Sequence, residues 1–179
     1  GVTSIGNYAF ANCINMKSVS LPPNTNVRII GEHAFSNCQN LEAYVNPVSV
    51  EKIGDYCFEN CYNLKTVELA GAGSIPNLKS LGNHLFVNCR KMEYLEIPYN
   101  VSETLDISLV EGCSNLKYIS VKNGNTTFVE GLPGVNNGGG AYSLNEFKNT
   151  VPAEFYFEAE DDSKIHDLCG QQAIAFKYM

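Results

Sequence analysis

The residue types best able to carry chemistry in this sequence are seven cysteines and three histidines. Their spacing matches no reactive site, because there is no C-x-x-C pair, no histidine interleaved at ligand spacing and no G-x-S-x-G motif. The glycine run at 138–140 lacks the Lys-Ser/Thr of a phosphate-binding loop. The acidic residues at 158–162 do not follow the calcium-loop pattern. We therefore expect no enzymatic activity, no cofactor and no bound metal.

Five of the cysteines mark an internal repeat. Four copies share a glycine, an aromatic residue or histidine, a phenylalanine, an asparagine and a cysteine in one register, and a fifth copy is degenerate. A unit of about 24 residues is too short to bury its own apolar face, so the copies must stack. The shared cysteine is then expected to form a structural column of buried free thiols, although the spacing of stacked turns would also permit disulfides. The copies begin at Ile5, Ile30, Ile53, Leu81 and Leu105, and the cysteines are Cys13, Cys38, Cys61, Cys89 and Cys113.

Each copy ends in an L-x-x-V-x-L pattern, such as Leu64, Val67 and Leu69. Its last two apolar positions alternate as in a strand, so stacked copies predict a parallel sheet with one strand per turn. The glycine-containing start of each copy predicts a turn and a brief helical or 3₁₀ piece on the opposite side. The second copy has Tyr44 and Asn46 at the Val and Leu positions, which leaves a register slip open. The extra residues at 70–74 predict a bulging loop.

These motifs resemble the leucine-rich repeat family, and within it the BspA-type class. The resemblance implies a β-rich α/β solenoid, wound as a right-handed superhelix with the parallel sheet on its concave face and short helical or 3₁₀ turns on its convex face. It also implies a module of bacterial or protist surface and secreted proteins. The matching residues of the third copy are Ile53, Gly54, Tyr56, Phe58, Asn60, Cys61, Asn63, Leu64, Val67 and Leu69.

We divide the chain into three parts of one structural domain. Residues 1–121 form an array of about five turns, 122–153 a Gly-rich loop or degenerate turn, and 154–179 a strand–helix–strand cap. Asp162 or Ser163 is expected to begin the cap helix and Gly170 to end it. No equivalent cap is visible before the first copy, so we expect the chain to be a fragment of a longer array.

Two further columns follow from the repeat register. His33 and His84 share a position with Tyr8 and Tyr56, which indicates a packing role rather than a titrating base. The residue after the Leu or Met of each copy alternates in charge from turn to turn. Stacking would place opposite charges side by side along one edge of the sheet. This charged column is Lys17, Glu42, Lys65, Glu93 and Lys117.

The outward columns of the concave sheet are the predicted partner-binding surface. They are small and neutral towards the N-terminus and carry two tyrosines and two glutamates towards the C-terminus. Tyrosine is enriched at binding hot spots, although two stacked tyrosines could equally shield the sheet. The candidate residues are Thr66, Glu68, Tyr94, Glu96, Tyr118 and Ser120.

Composition narrows the class of partner. A formal charge of −7 argues against nucleic acid and anionic membrane surfaces, and no run of apolar residues is long enough for insertion into a membrane. Our hypothesis is a monomeric, extracellular or cell-surface recognition and adhesion module that binds a protein or glycan. The alternatives are an intracellular or effector interaction scaffold and a structural spacer without a ligand.

Overall fold

Each copy of the repeat forms one turn of a parallel β-solenoid in the computed structural model, which describes residues 1–22, 24–70, 76–130, 142–160 and 163–179. The predicted loop at 70–74, the glycine run and Asp161–Asp162 therefore lie wholly or largely outside the described residues. The strands are β1 (Ser4–Ile5), β2 (Ser18–Val19), β3 (Ile29–Ile30), β4 (Ala43–Val45), β5 (Lys52–Ile53), β6 (Thr66–Glu68), β7 (Ser80–Leu81), β8 (Tyr94–Ile97), β9 (Thr104–Asp106), β10 (Tyr118–Val121), β11 (Thr127–Val129), β12 (Tyr156–Ala159) and β13 (Ala175–Tyr178).

The strands form two parallel surfaces, and each surface is interrupted once in the described residues. The predicted sheet, which we call the concave sheet, has the segments β2-β4-β6 and β8-β10-β12-β13. The second surface has the segments β1-β3-β5-β7 and β9-β11. At its interruption, the Leu81 N–H donates 3.0 Å to the Glu103 carboxylate. A side chain therefore replaces a ladder hydrogen bond at that point.

The second copy keeps its register despite its unusual residues. Tyr44 pairs with Val19 on one side and Val67 on the other, so no slip occurs. Its buried hydroxyl donates to the Asn46 side chain at 2.7 Å, and Asn46 donates to the Leu69 carbonyl at 3.4 Å. The two side chains therefore satisfy each other's hydrogen-bonding groups. This bond offsets the free-energy cost of burying either polar group without a partner.

The opposite side of the first four turns consists of consecutive turns, so the predicted helical piece is wrong there. The Tyr/His and Asn positions of these copies have left-handed backbone, with φ between 53° and 63°. Asparagine tolerates that conformation, and its side chain also links neighbouring turns. The Asn60 amide donates to Asn37 at 3.0 Å and accepts from Asn88 at 2.9 Å. The fifth copy does form a 3₁₀ helix, Ile107–Val110.

The segment after Val121 holds more structure than a loop. Strand β11 pairs with β9, and β12 pairs with β10, so each of the two surfaces gains a further strand. Helix α1 (Leu144–Thr150) precedes β12 and begins with a capping box between Ser143 and Glu146. Neither β11 nor α1 was predicted from the sequence.

The predicted strand–helix–strand at the C-terminus is present as β12, α2 (Lys164–Gln172) and β13. Ser163 caps α2, as expected, by accepting the His166 N–H. Gly170 does not end the helix, which continues to Gln172 and stops at Ala173 in left-handed conformation. The chain reverses there to add β13 beside β12, so the cap extends the concave sheet by another strand.

The cysteine column is a ladder of free thiols, as the repeat predicts. From Cys38 onwards, each column thiol donates to the carbonyl of the phenylalanine one turn earlier, as in Cys61 to Phe35 at 3.3 Å and Cys113 to Phe86 at 3.1 Å. Burial raises the pKa of the Cys61 and Cys113 thiols far above the ordinary value of 9.0. The disulfide alternative is therefore not realised, and these thiols act as core donors.

Candidate functional site: the tyrosine stack of the concave sheet

Three tyrosines on consecutive strands form one continuous stack. The Tyr94 and Tyr118 rings lie 5.7 Å apart, and the Tyr118 and Tyr156 rings lie 5.3 Å apart, each pair with an interplanar angle of 12°. Parallel strand register produces this arrangement, because the three residues pair directly across the ladder. Each ring is half-buried. Stacking covers the ring faces inside the tyrosine stack and leaves the ring edges towards the concave surface.

Tyr156 was not among the predicted site residues. We assigned it to the cap rather than to a repeat, so its column was not extended beyond Tyr118. The signal was present in the sequence, because the Tyr-Phe-Glu-Ala run of β12 repeats the alternation of Tyr-Ile-Ser-Val in β10. The stack is therefore one ring longer than the sequence analysis predicted.

The two ends of the tyrosine stack differ. At the C-terminal end, the Lys177 ammonium lies 3.7 Å from the centre of the Tyr156 ring, a cation–π contact. At the N-terminal end, the preceding copy has Thr66, with its small side chain, at the repeat position of Tyr94. The described residues place a cation over two tyrosines, Tyr62 and Tyr156, and not over Tyr94.

The second outward column runs beside the stack and is mainly acidic. Glu68 is exposed, whereas Glu96 and Glu158 are half-buried. Glu96 makes a 3.5 Å ion pair with Lys122. The expectation that Ser120 faces a partner is wrong, because its residue is only 2% exposed and its hydroxyl lies 3.9 Å from the Met179 sulfur. The Met179 side chain covers this position.

The Tyr118 hydroxyl remains protonated at neutral pH. Burial, with smaller contributions from Tyr156 and the nearby carboxylates, raises the pKa of Tyr118. A protonated phenol both donates and accepts hydrogen bonds. The stack therefore offers rigid aromatic area with hydroxyl groups and no negative charge of its own.

The interruption of the concave sheet lies beside the open end of the stack. Strands β6 and β8 share no ladder in the described residues. An ion pair spans this gap, with Lys65 Nζ 3.1 Å from Glu93, and Lys117 lies 2.8 Å from the same carboxylate. These hydrogen bonds lower the pKa of Glu93. The charged column is thus confirmed for these three members, while Lys17 and Glu42 are linked through their backbones.

The histidines have the packing role that their column predicts. Tyr8, His33, Tyr56 and His84 stack with ring separations of 4.6 to 4.8 Å. His33 and His84 also lie 3.4 Å from the carboxylates of Glu59 and Glu111. Within the described ranges, no group of three or more His, Cys, Asp or Glu side chains is placed to hold a metal ion. None of the helices in those ranges is long and apolar enough to cross a membrane.

Comparison with known proteins agrees with this geometry. The family model of the BspA-type leucine-rich repeat region matches residues 3–132 with six copies, one more than the sequence analysis counted. The additional copy is consistent with β11, which starts a further turn beside β9. No curated protein matches the chain.

Three solved structures share the fold. A leucine-rich repeat protein from T. pallidum is 24% identical with a TM-score of 0.59, over 71% of this chain and 62% of its own. A leucine-rich repeat protein from Bacteroides ovatus is 20% identical with a TM-score of 0.62, over 99% of this chain and 43% of its own. The pneumococcal vaccine antigen PcpA is 19% identical with a TM-score of 0.63, over 99% and 42%. The matches therefore cover between 42% and 62% of the length of these proteins.

Proposed function

This chain belongs to the BspA-type leucine-rich repeat family, and on that premise we propose that it is a non-enzymatic recognition module that binds a protein or glycan through its concave sheet. We further propose that it acts at a cell surface or after secretion. The vaccine antigen among its structural neighbours supports this location. The fold alone does not determine the function, so the proposal depends on which side chains the concave sheet presents.

The tyrosine stack is the observation that carries the proposal. Tyrosine provides rigid, amphipathic contact area at small entropic cost and is frequent at binding hot spots. A repeat protein needs only apolar inward positions to fold, whereas Tyr94, Tyr118 and Tyr156 occupy outward positions. Their half-exposed rings therefore present aromatic surface where solvation alone would favour small or charged residues.

A structural spacer or an intracellular scaffold is the competing proposal. The free-thiol column favours a reducing compartment, because unpaired cysteines are less common in secreted proteins. Burial and carbonyl hydrogen bonds protect these thiols, however, so they are compatible with either location. A spacer would have no use for the tyrosine stack beyond shielding the sheet.

A binding screen tests the proposal. The labelled chain is applied at micromolar concentration to arrays of extracellular-matrix proteins, host surface proteins and glycans. The Tyr94→Ala/Tyr118→Ala variant should lose the strongest signals, while Tyr8→Ala/Tyr99→Ala, which removes two exposed tyrosines elsewhere, should keep them. Signals that both variants keep would place binding elsewhere on the chain. Absence of any signal would favour the spacer.

A further inference from the structure

The two ends of the tyrosine stack have matching geometry and opposite charge. At the C-terminal end, β13 places Ala175 beside Tyr156 and Lys177 beside Glu158. At the N-terminal end, β6 carries Thr66 and Glu68 at the repeat positions of Tyr94 and Glu96. A small residue thus borders the last ring at both ends. The residue two positions later is a lysine at one end and a glutamate at the other.

Lys177 shows how this chain completes an end of the stack. A small neighbour leaves space over the Tyr156 ring, and the Lys177 ammonium occupies that space at 3.7 Å from the ring centre. The face of an aromatic ring is its negative side, so a cation is the favoured occupant. The equivalent space over Tyr94 is bordered by the exposed Glu68, whereas Glu96 already pairs with Lys122 at 3.5 Å.

We propose that the open face of Tyr94 receives an arginine side chain from a protein partner, stacked on the ring and paired with Glu68. This inference rests on the proposed function and names its partner class as a protein. Arginine fits better than lysine because its planar guanidinium stacks on a ring while its donors reach carboxylates in the same plane. Glu68 is exposed and makes no ion pair within the described residues.

The same geometry disfavours a sugar at this site. Carbohydrate recognition by aromatic residues uses an open ring face, whereas stacking covers both faces of Tyr118 and one face each of Tyr94 and Tyr156. Lys177 covers the remaining face of Tyr156. The open face of Tyr94 lies beside the Glu68 carboxylate, whose negative charge favours a cationic ligand over a neutral one.

The test is a nuclear magnetic resonance titration of the intact chain with N-acetylarginine amide, and with the citrulline amide as its neutral isostere. We expect arginine to shift the Tyr94 ring and Thr66 methyl signals with half-saturation in the millimolar range. Citrulline should bind about tenfold more weakly, because both the ring contact and the ion pair need the positive charge. Glu68→Gln should weaken arginine binding, and Glu32→Gln, an exposed glutamate of another surface, should not.

The Lys177→Ala variant should gain arginine binding, a result that a general loss of folding could not produce. Removing the lysine opens the Tyr156 face beside Glu158, so the variant should acquire a second arginine site with shifts at the Tyr156 ring. Equal responses to arginine and citrulline, or no response at Tyr94, would overturn the inference. If the screen then still found a partner whose binding requires Tyr94 and Tyr118, the proposed function would stand. If arginine bound at Tyr94 but the screen found no partner, the proposed function would be contradicted and the arginine site would stand.

Discussion

The Lys65 ammonium lies 3.1 Å from the Glu93 carboxylate across the gap between the two segments of the concave sheet. Because β6 and β8 share no ladder in the described residues, this ion pair joins the two segments in place of backbone hydrogen bonds. Lys117 binds the same carboxylate from the next strand, so Glu93 connects three consecutive turns. The gap and the open end of the tyrosine stack occupy the same region of the surface.

Glu93→Gln should loosen this region without unfolding the chain. Removing the carboxylate charge weakens both ion pairs, so amide hydrogens of β8 should exchange faster in hydrogen-exchange mass spectrometry. High salt should produce part of the same effect in the unmodified chain, because exposed ion pairs are screened. Glu42→Gln removes a charge from the same repeat column and should leave β8 unchanged. Equal exchange in the two variants would contradict the role of Glu93.

Gly82→Ala should be strongly destabilising. A Cβ atom at this position would lie 2.3 Å from the backbone of Gly54, so the stacked turns would have to separate. We expect a loss of about 3 kcal/mol in the free energy of unfolding, measured by urea denaturation. Gly6→Ala is the matched control at the same repeat position, where a Cβ meets nothing within 4 Å, and it should change stability by less than about 0.5 kcal/mol. Similar losses in both variants would refute close stacking as the cause.

The buried thiols should make the fold sensitive to alkali. The folded-state pKa of Cys61 is raised above its ordinary value of 9.0, so its stabilising contribution is complete below pH 9. The contribution falls as the pH rises above 9 towards the folded-state pKa, because the unfolded chain loses the proton first. Cys89 and Cys113 act in the same direction.

Denaturation at pH 8 and above pH 9 measures this effect. Above pH 9, Cys61→Ala should reduce the slope of unfolding free energy against pH by about 1 kcal/mol per pH unit, since one pKa unit corresponds to about 1.4 kcal/mol. Leu109→Ala removes a buried side chain that does not titrate, so it should lower stability equally at each pH. An unchanged slope in the cysteine variant would contradict the thiol contribution.

The repeat register allowed most of the fold and of the site columns to be predicted from sequence. The stacking of Tyr94 on Tyr118 and the thiol column follow directly from it, because residues at one repeat position must lie side by side in stacked turns. Tyr44 and Asn46 left a register slip open because the repeat pattern treats each position separately. It therefore does not reveal the hydrogen bond between these two side chains.

Features that depend on contacts between different repeat positions were not predictable. The burial of Ser120 depends on the contact with Met179, which lies outside the repeat positions. Tyr156 and helix α1 were missed for another reason, because a long insertion separates β11 from β12 and hides the repeat spacing. The Ser143–Glu146 capping box was a signal for α1 that the sequence analysis did not use.

Hydroxyl-radical footprinting of the chain with the strongest binder from the screen tests the central claim most directly. If the concave sheet is the recognition surface, Tyr94 and Tyr118 should be protected in the complex. Tyr99, which is 69% exposed and lies outside the stack, should be modified at the same rate with and without the partner. Protection of Tyr99 or of the first turn, with Tyr94 and Tyr118 still fully reactive, would contradict the assignment of the binding surface.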